Sequence, residues 1–462
     1  MTYLLADDPI DSLDRYLGTD TGGLGLAAAV DLGPQGTIEL IGRSGLRGRG
    51  GGGFPTGRKW AGVASQTGTT HYVVANGAEG EPGTFKDREL LRHNPYQVVE
   101  GLIIATFATG AAEAYICVKA SFVEEVERLT RAIEEMQEAG ICRDCTITVV
   151  QGPEEYLFGE EKAMLEVIEG NAPLPRLLPP YEHGLFATAP QTGWVAKDPE
   201  PGQTGRFESN PTLVNNIETL ANVPHILARG VEWFRSMGTD DSPGNVLCTI
   251  VGDVDSPGVF EVPLGTPLRA VIDLAGTPSA GVKAVLSGVA SPVVTAEHLD
   301  VPLTYEHFQA IGSGMGAAGF MVFDDTACMV EVTRQASRFL WIESCGQCPP
   351  CKTGSGEITE RLTRIEAGAG SVRDITEIGG WLGKVTDGAR CYLAVEEQVM
   401  VASMLRAFPD EFDEHLTGGR CPRPRPVELP KLVDLRDGVA TYDRRHHLKQ
   451  PDWTYLPDPV AP

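Results

Sequence analysis

The hydrophobic positions fall into two rhythms that take turns along the first half of the chain. HYVVAN (71–76) is a short β-branched run and predicts a buried strand. NPYQVVEGLIIATFATGA (94–111) has helical length and opens on Asn94-Pro95, a helix-start signal. AEAYICVKA (112–120) predicts a second strand, and FVEEVERLTRAIEEMQEAG (122–140) an amphipathic helix stopped at Gly140. CTITVVQG (145–152) and EEYLFGEEKAMLEVIEG (154–170) repeat the pair as strand and helix. Alternating strands and helices imply a mostly parallel α/β sheet over residues 36–240. Residues 1–35 are acidic and turn-rich and read as a weakly structured lead-in. LFATAPQTGWVAKDPEPGQTGRFESN (185–210) is rich in Gly and Pro and reads as a long surface loop.

The rhythm changes after GTDDSPGN (238–245). NVLCTIVGDVDSPGVFEVPLGTPLRAVIDLAG suggests two strands turning at Ser256-Pro257-Gly258, then a short helix, hence a small α+β domain over 245–330. Residues 335–418 are mostly helical in pattern. The tail, 421–462, carries eight prolines in 42 residues and is expected to run extended over a neighbour or stay mobile.

Composition narrows the function classes. The 462 residues carry a formal charge of −25, which excludes a general phosphate-binding face and an anionic membrane surface. MTYLLADDPIDSLDRYLG lacks the basic start of a signal peptide, and no apolar run reaches the ~18 residues of a membrane span. A cytoplasmic setting is the expectation. There, ten cysteines point to metal or redox chemistry rather than disulfides.

The cysteines concentrate that chemistry. ESCGQCPPCKTGSG spaces Cys345, Cys348 and Cys351 as C-x2-C-x2-C, so three thiolates can face one site. Cys391, in DGARCYLAVEEQ, is the candidate fourth ligand if the intervening residues form two helices that bring it back. Four thiolates suit a 4Fe–4S cluster, and a tetrahedral zinc ion competes for the same set. Cys117, Cys248 and Cys328 sit in apolar runs and read as buried hydrophobes. Cys142 and Cys145 form a second CxxC without a partner pair, and Cys421 reads as an exposed tail residue.

GLRGRGGGGFPTGRKW (45–60) is the other conspicuous stretch. Gly48, Gly50 and Gly53 satisfy G-x-G-x-x-G. The dinucleotide fingerprint needs a strand before it and a helix after it. Here a helical pattern, GTIELIGRSGL (36–46), precedes the glycines, and Phe54-Pro55-Thr56-Gly57 reads as a helix breaker. The glycine run nevertheless lets backbone N–H groups approach a phosphate, with Arg47, Arg49, Arg58 and Lys59 adding charge.

Five motifs in order carry a resemblance: GLRGRGGGGFPTGRKW, ANGAEGEPGTFKDR, FGEEKAMLEVIEG, PTLVNNIETLANV and ESCGQCPPC with Cys391. Over residues 36–418 the chain resembles the flavin subunit of respiratory NADH:quinone oxidoreductase, a module shared with diaphorase subunits of NAD-dependent formate dehydrogenases and NAD-reducing hydrogenases. The resemblance implies a Rossmann-like FMN domain, a small β-grasp (ubiquitin-like) domain and a C-terminal four-helix bundle with the cluster. It implies hydride transfer between NAD(H) and FMN, then single-electron passage to a 4Fe–4S cluster on Cys345, Cys348, Cys351 and Cys391. Gly48, Arg49, Gly50 and Gly51 match the family's FMN loop, and Lys59 its lysine near the flavin. Asn76, Glu79, Tyr156, Gly159, Glu160, Glu161, Asn215, Asn216 and Thr219 match further flavin-side positions; Lys59, Glu79 and Glu160 are the catalytic candidates. Phe54 and Tyr181 match aromatics that stack on the adenine of NADH, and Glu81 an acid near its ribose.

Three departures bear on the nucleotide. Ala78 and Gly80 stand where the family has aspartate and serine, Gly62 where a second stacking aromatic is common, and the loop 185–210 is longer than in most relatives. The resemblance also implies partners: other iron–sulfur subunits of a larger redox complex, such as a 2Fe–2S protein and a catalytic or peripheral-arm subunit, without direct membrane insertion. The tail's Arg423, Arg425, Arg444, Arg445 and Lys449, with Trp453 and Tyr455, are expected to dock on such a partner or on a second copy. Two alternatives stand beside the respiratory reading. One is a diaphorase subunit of a molybdenum or tungsten formate dehydrogenase or of a hydrogenase; the other is an iron–sulfur scaffold that has lost nucleotide binding.

Overall fold

Val73, Val74 and Ala75 are fully buried in strand β1 (Tyr72–Asn76), where β-branched side chains pack on both sheet faces. With β2 (Glu113–Lys119), β3 (Thr146–Gly152) and β4 (Thr212–Asn216) it builds a four-stranded sheet in the order β3-β2-β1-β4. All three pairings are parallel. The computed structural model describes residues 2–67, 69–188, 208–418, 421–423 and 425–457.

Helices cover this sheet. Helix Pro95–Thr109 begins where Asn94 caps it, the side chain accepting from Gln97 N, and ends at Gly110 with φ 71°. It is apolar around nearly its whole circumference and correspondingly buried. Gly101 lets it approach helix Ile217–Arg229 closely, since a Cβ there would lie 2.0 Å from Leu220 O.

Three expectations for this half need correction. The lead-in is structured: it carries helix Leu13–Leu17 and the start of helix Leu24–Ser44. Its anchor is Glu100, buried, whose carboxylate accepts from Tyr16 Oη (2.6 Å), Gly23 N (2.9 Å) and Leu26 N (2.8 Å). Acidic composition concealed a partner 84 residues away. Pro55 does not break a helix; it precedes one, Thr56–Ala64, because its fixed φ and missing N–H suit a helix start. The segment 154–170 is divided, a 3₁₀ turn at Tyr156–Gly159 leading into helix Glu161–Ile168.

The second half holds a mixed five-stranded sheet of β5 (Asn245–Gly252), β6 (Gly258–Pro263), β7 (Val282–Ser287), β8 (Val294–Thr295) and β9 (Gly319–Asp324), ordered β6-β5-β9-β7-β8. β5 and β9 run parallel; β7 is antiparallel to both β8 and β9. Five helices follow: Met329–Glu343, Pro349–Glu366, Val372–Leu382, Leu393–Ala407 and Pro409–Gly418.

The tail is not simply extended. It forms a hairpin of β10 (Leu432–Arg436) and β11 (Val439–Tyr442) and a 3₁₀ turn at His446–Leu448. It is held by a buried triad. Glu343 Oε1 accepts from His446 Nε2 (2.8 Å) and Lys449 Nζ (2.9 Å), and Trp453 Nε1 donates to Ile342 O at 3.0 Å. Burial alone would raise the Glu343 carboxyl, but the His446 hydrogen bond and the Lys449 charge outweigh it and hold the carboxyl far below the usual range. Tail prolines conceal this because the partner residues lie about a hundred positions upstream.

The chain packs into two compact units. One comprises Met1–Glu79, Asp87–Glu154 and Phe158–Val246; the other comprises Gly80–Lys86, Glu155–Leu157 and Leu247–Pro462. No helix among the described residues is long and apolar enough to cross a membrane.

Candidate functional site

In the first unit, β1 and β4 both end in asparagine, and Asn76 faces Asn216 in register. The strand order reverses between these two strands, the point where parallel sheets open a crevice beyond their carboxyl ends. A cavity of about 570 Å³ lies there. The glycine loop supplies Gly48, Gly50, Gly52 and Gly53; helix Thr56–Ala64 supplies Arg58, Lys59 and Gly62. Asn76, Gly159, Glu161, Val214, Asn215, Asn216 and Thr219 complete the wall, with Phe54 and Tyr181 half exposed at its rim.

The polar groups of the wall hold one another in place. Asn76 Nδ2 donates to Gly159 O (2.8 Å) while its Oδ1 accepts from Ala78 N. Asn216 Oδ1 caps helix Ile217–Arg229 by accepting from Glu218 N, and its Nδ2 donates to Asp87 Oδ2 at 2.8 Å. Lys59 Nζ donates to Glu161 Oε2 at 2.9 Å. A side chain at Gly50 would place its Cβ 3.1 Å from Asn216 Cβ, a tight contact that would make Asn216 give way by a few tenths of an ångström.

Not every expected residue lines the cavity. The Arg49 side chain is buried against Pro243 O and, 4.0 Å away, Glu218; its backbone N–H donates to Thr219 Oγ1 at 2.8 Å. Arg49 thus acts on the loop's path. Glu79 is buried and paired with Arg88 at 3.1 Å. Glu160 caps helix Glu161–Ile168 through Lys162 N and Ala163 N. Burial, opposed by Lys162 and those N–H groups, pushes its carboxyl up to about 7. Gly51 turns the loop at φ 107°. Tyr156 and Glu81 belong to the second unit: Tyr156 Oη donates to Glu396 Oε1 at 3.1 Å, and Glu81 Oε1 accepts from Val289 N at 2.9 Å. The loop 185–210 lies largely outside the described residues.

Sequence reasoning passed over Trp60, Asp87 and Val214, and gave Arg58 no role beyond its charge. Trp60 Nε1 donates to Asn215 Oδ1 at 2.8 Å, and Arg58 stands 5.6 Å over the Phe54 ring. Trp60 and Arg58 flank Lys59 in the glycine-rich motif, so adjacency was the available signal.

In the second unit, Cys345, Cys348, Cys351 and Cys391 line a single pocket with Leu157, Ser344, Gly346, Ala389, Arg390, Leu393 and Ala394. Helices Pro349–Glu366 and Val372–Leu382 form the return path to Cys391. Cys348 stands at the N-cap of the first of them, and Cys351 in its first turn. Burial, with the neighbouring Cys348 and Cys345, pushes the Cys351 thiol up to about 12. A cationic cluster would offset that cost, as metals do for coordinating thiolates. Lys352 Nζ donates to Trp341 O (3.0 Å) and Ser344 O (2.8 Å), fixing the turn before Cys345. Cys142 and Cys145 are buried outside this pocket, and burial, with the neighbouring Cys145, pushes the Cys142 thiol up to about 11.

Both halves of the chain match known protein families. Residues 41–225 match the Nuo51 FMN-binding domain, 331–415 the NADH-ubiquinone oxidoreductase-F iron-sulfur binding region, and 247–283 the SLBB domain. The NADH-quinone oxidoreductase F subunit of Streptomyces coelicolor is 38% identical over 409 residues, spanning 86% of this chain and 87% of its own. The chain belongs to this family. The NADP-reducing hydrogenase subunit HndC of Solidesulfovibrio fructosivorans is 35% identical over 427 residues, 90% of this chain and 82% of that one. A crystal structure of NAD+-reducing NiFe-hydrogenase in its H2-reduced state matches with TM-score 0.75 and 30% identity, covering 92% of this chain and 67% of that one. As a member of the family, the protein is a flavin and iron–sulfur oxidoreductase with an FMN domain and a 4Fe–4S region, and NADH is the family's substrate.

Proposed function

We propose that the first unit binds FMN in its glycine-lined cavity and admits a nicotinamide nucleotide at the Phe54–Tyr181 rim, and that Cys345, Cys348, Cys351 and Cys391 hold the 4Fe–4S cluster. The observation that carries this reading is the convergence of bare backbone, three asparagines and Lys59 on one cavity at the carboxyl ends of β1 and β4. FMN, when bound, supplies the exchange between two-electron hydride chemistry and one-electron transfer. The protein's part is placement. Glycine N–H groups and Lys59 offset phosphate or flavin charge. Asn215, its Oδ1 held by Trp60, offers its amide N–H donors to a flavin edge, and Asn76 holds the Gly159 backbone beside it. Glu160, its carboxyl pushed up to about 7 by burial, lies off the cavity wall and acts on it by capping helix Glu161–Ile168 next to Gly159 and Glu161.

We read the mixed sheet as the β-grasp domain, the four-stranded sheet as the Rossmann-like domain and the C-terminal helices as the bundle around the cluster. The cavity and the rim aromatics speak against a scaffold without nucleotide binding. The parent complex is either a respiratory one or a hydrogenase, with iron–sulfur subunits as partners; the likeness to HndC and to NAD+-reducing hydrogenase favours keeping the second. A formate dehydrogenase rests on the resemblance alone. Any membrane association comes through the complex.

The test is an anaerobic purification, identification of the bound flavin, and a visible spectrum during addition of NADH, then NADPH. Bleaching of an FMN band by NADH is expected. FMN that neither nucleotide bleaches would sink the nucleotide half of the reading. Iron without flavin would sink the FMN half. NADPH is included because Glu81, the expected ribose acid, does not line the cavity.

A further inference from the structure

Two cysteines without a role in the cluster meet a histidine outside the pocket of the four cluster ligands. Cys328 precedes helix Met329–Glu343, His415 lies in helix Pro409–Gly418, and Cys421 follows that helix. Their ligand atoms all lie within 4.8 Å of one another. Cys328 and His415 are fully buried, and Cys421, expected to be exposed, is half-buried.

The second layer is that of a metal site. His415 Nδ1 donates to Glu411 O at 2.8 Å, which leaves the Nε2 lone pair facing the sulfurs. A backbone carbonyl fixing the tautomer is the usual partner of a ligating histidine. Nε2 stands 3.5 Å from Cys328 Sγ. Tetrahedral zinc with bonds of roughly 2.3 Å to sulfur and 2.05 Å to nitrogen places those atoms about 3.6 Å apart. Burial raises both thiols; at Cys328 Sγ the backbone N–H groups of Glu331 and Val330 oppose it, and Cys421 Sγ accepts from Arg423 N at 3.4 Å and lies 3.2 Å from Arg423 O. A bound cation would offset that burial. Glu411, the nearest carboxylate on the same helix, is engaged by Lys283 and Met329 N.

We propose that Cys328, His415 and Cys421 bind a single zinc ion, separate from the iron–sulfur cluster, with a water molecule in the fourth position. Two thiolates and one imidazole form a soft, borderline set suited to zinc. The ion would tie the start of the C-terminal segment to the helix that leads into the cluster loop.

The test is elemental analysis of the full chain, purified anaerobically with whatever partners accompany it, as wild type, Cys421→Ser and His415→Gln. One zinc per chain is expected in the wild type and is lost in both variants, while iron and flavin stay level. EDTA should lower the melting temperature of the wild type and leave that of Cys421→Ser unchanged. Zinc absent from the wild type, or zinc retained equally in both variants, overturns the proposal. So does extra iron in place of zinc, or a native Cys328–Cys421 disulfide by mass spectrometry.

Discussion

The indole N–H of Trp60 donates to Oδ1 of Asn215 across 2.8 Å, and both residues are buried. That bond takes the acceptor end of the amide and leaves its donors for the cavity that Asn215 lines. Trp60→Phe keeps most of the shape and frees the amide to turn. FMN affinity should fall roughly fivefold, the worth of about 1 kcal/mol for one hydrogen bond. Flavin fluorescence titration of reconstituted protein checks it, and an unchanged dissociation constant refutes the orienting role.

Gly62 lines the cavity on helix Thr56–Ala64, and a Cβ there meets nothing within 4 Å. Gly62→Tyr should therefore fold, gain roughly 0.5 kcal/mol from helix propensity, and supply a second stacking face. The KM for NADH should drop several-fold with little change in kcat. A rise in KM would show that the nucleotide does not pass over this position.

Cys391→Ser removes the proposed ligand that comes from outside the C-x2-C-x2-C run. Iron per flavin and the reduced-cluster EPR signal should collapse while FMN is retained. Intact cluster content would mean that another residue is the fourth ligand.

Glu160 gives stability a pH dependence of known sign. Its folded value, about 7, exceeds the ordinary 4.5. Its contribution is thus present in full below about pH 4.5 and lost as the pH rises through about 7. Glu160→Gln keeps an oxygen to cap the helix and removes the titration. Relative to wild type, the variant should gain on the order of 2 kcal/mol between about pH 5 and pH 8. A difference that stays flat across that range refutes the assignment.

Lys449→Met leaves the Glu343 carboxylate buried with only His446 and the Tyr156 N–H. The expected cost is about 3 kcal/mol, largely recovered by adding Glu343→Gln. Chemical denaturation of both variants decides; two additive losses would mean that the pair is not coupled.

Strands β1, β2 and β3 were legible as short apolar runs, and helix Pro95–Thr109 through its ends at Asn94 and Gly110, whereas β4 (Thr212–Asn216) and helix Thr56–Ala64 were not read from the sequence. The glycine loop and the four cysteines were legible as chemistry because unusual spacing survives without a structure. The role of Arg49 was not, since a loop arginine and a core arginine look alike until Pro243 and Glu218 are seen beside it. Glu100, Glu343 and the Cys328–His415–Cys421 group were hidden for one physical reason. Each depends on partners tens to hundreds of residues away, and burial turns an ordinary polar residue into a specific one only after the chain has folded.

The flavin cavity and the cluster pocket belong to different compact units, yet neither unit is a continuous stretch of sequence. Gly80–Lys86 and Glu155–Leu157 interrupt the first unit and serve the second, where Phe85 N donates to Thr249 Oγ1 and Tyr156 N to Glu343 Oε2. A single cut in the gene at Val246 would therefore hand each daughter fragment an incomplete core. To travel as an independent cassette, the second unit would have to carry Gly80–Lys86 and Glu155–Leu157 with it, two short pieces stranded inside the sequence of the first.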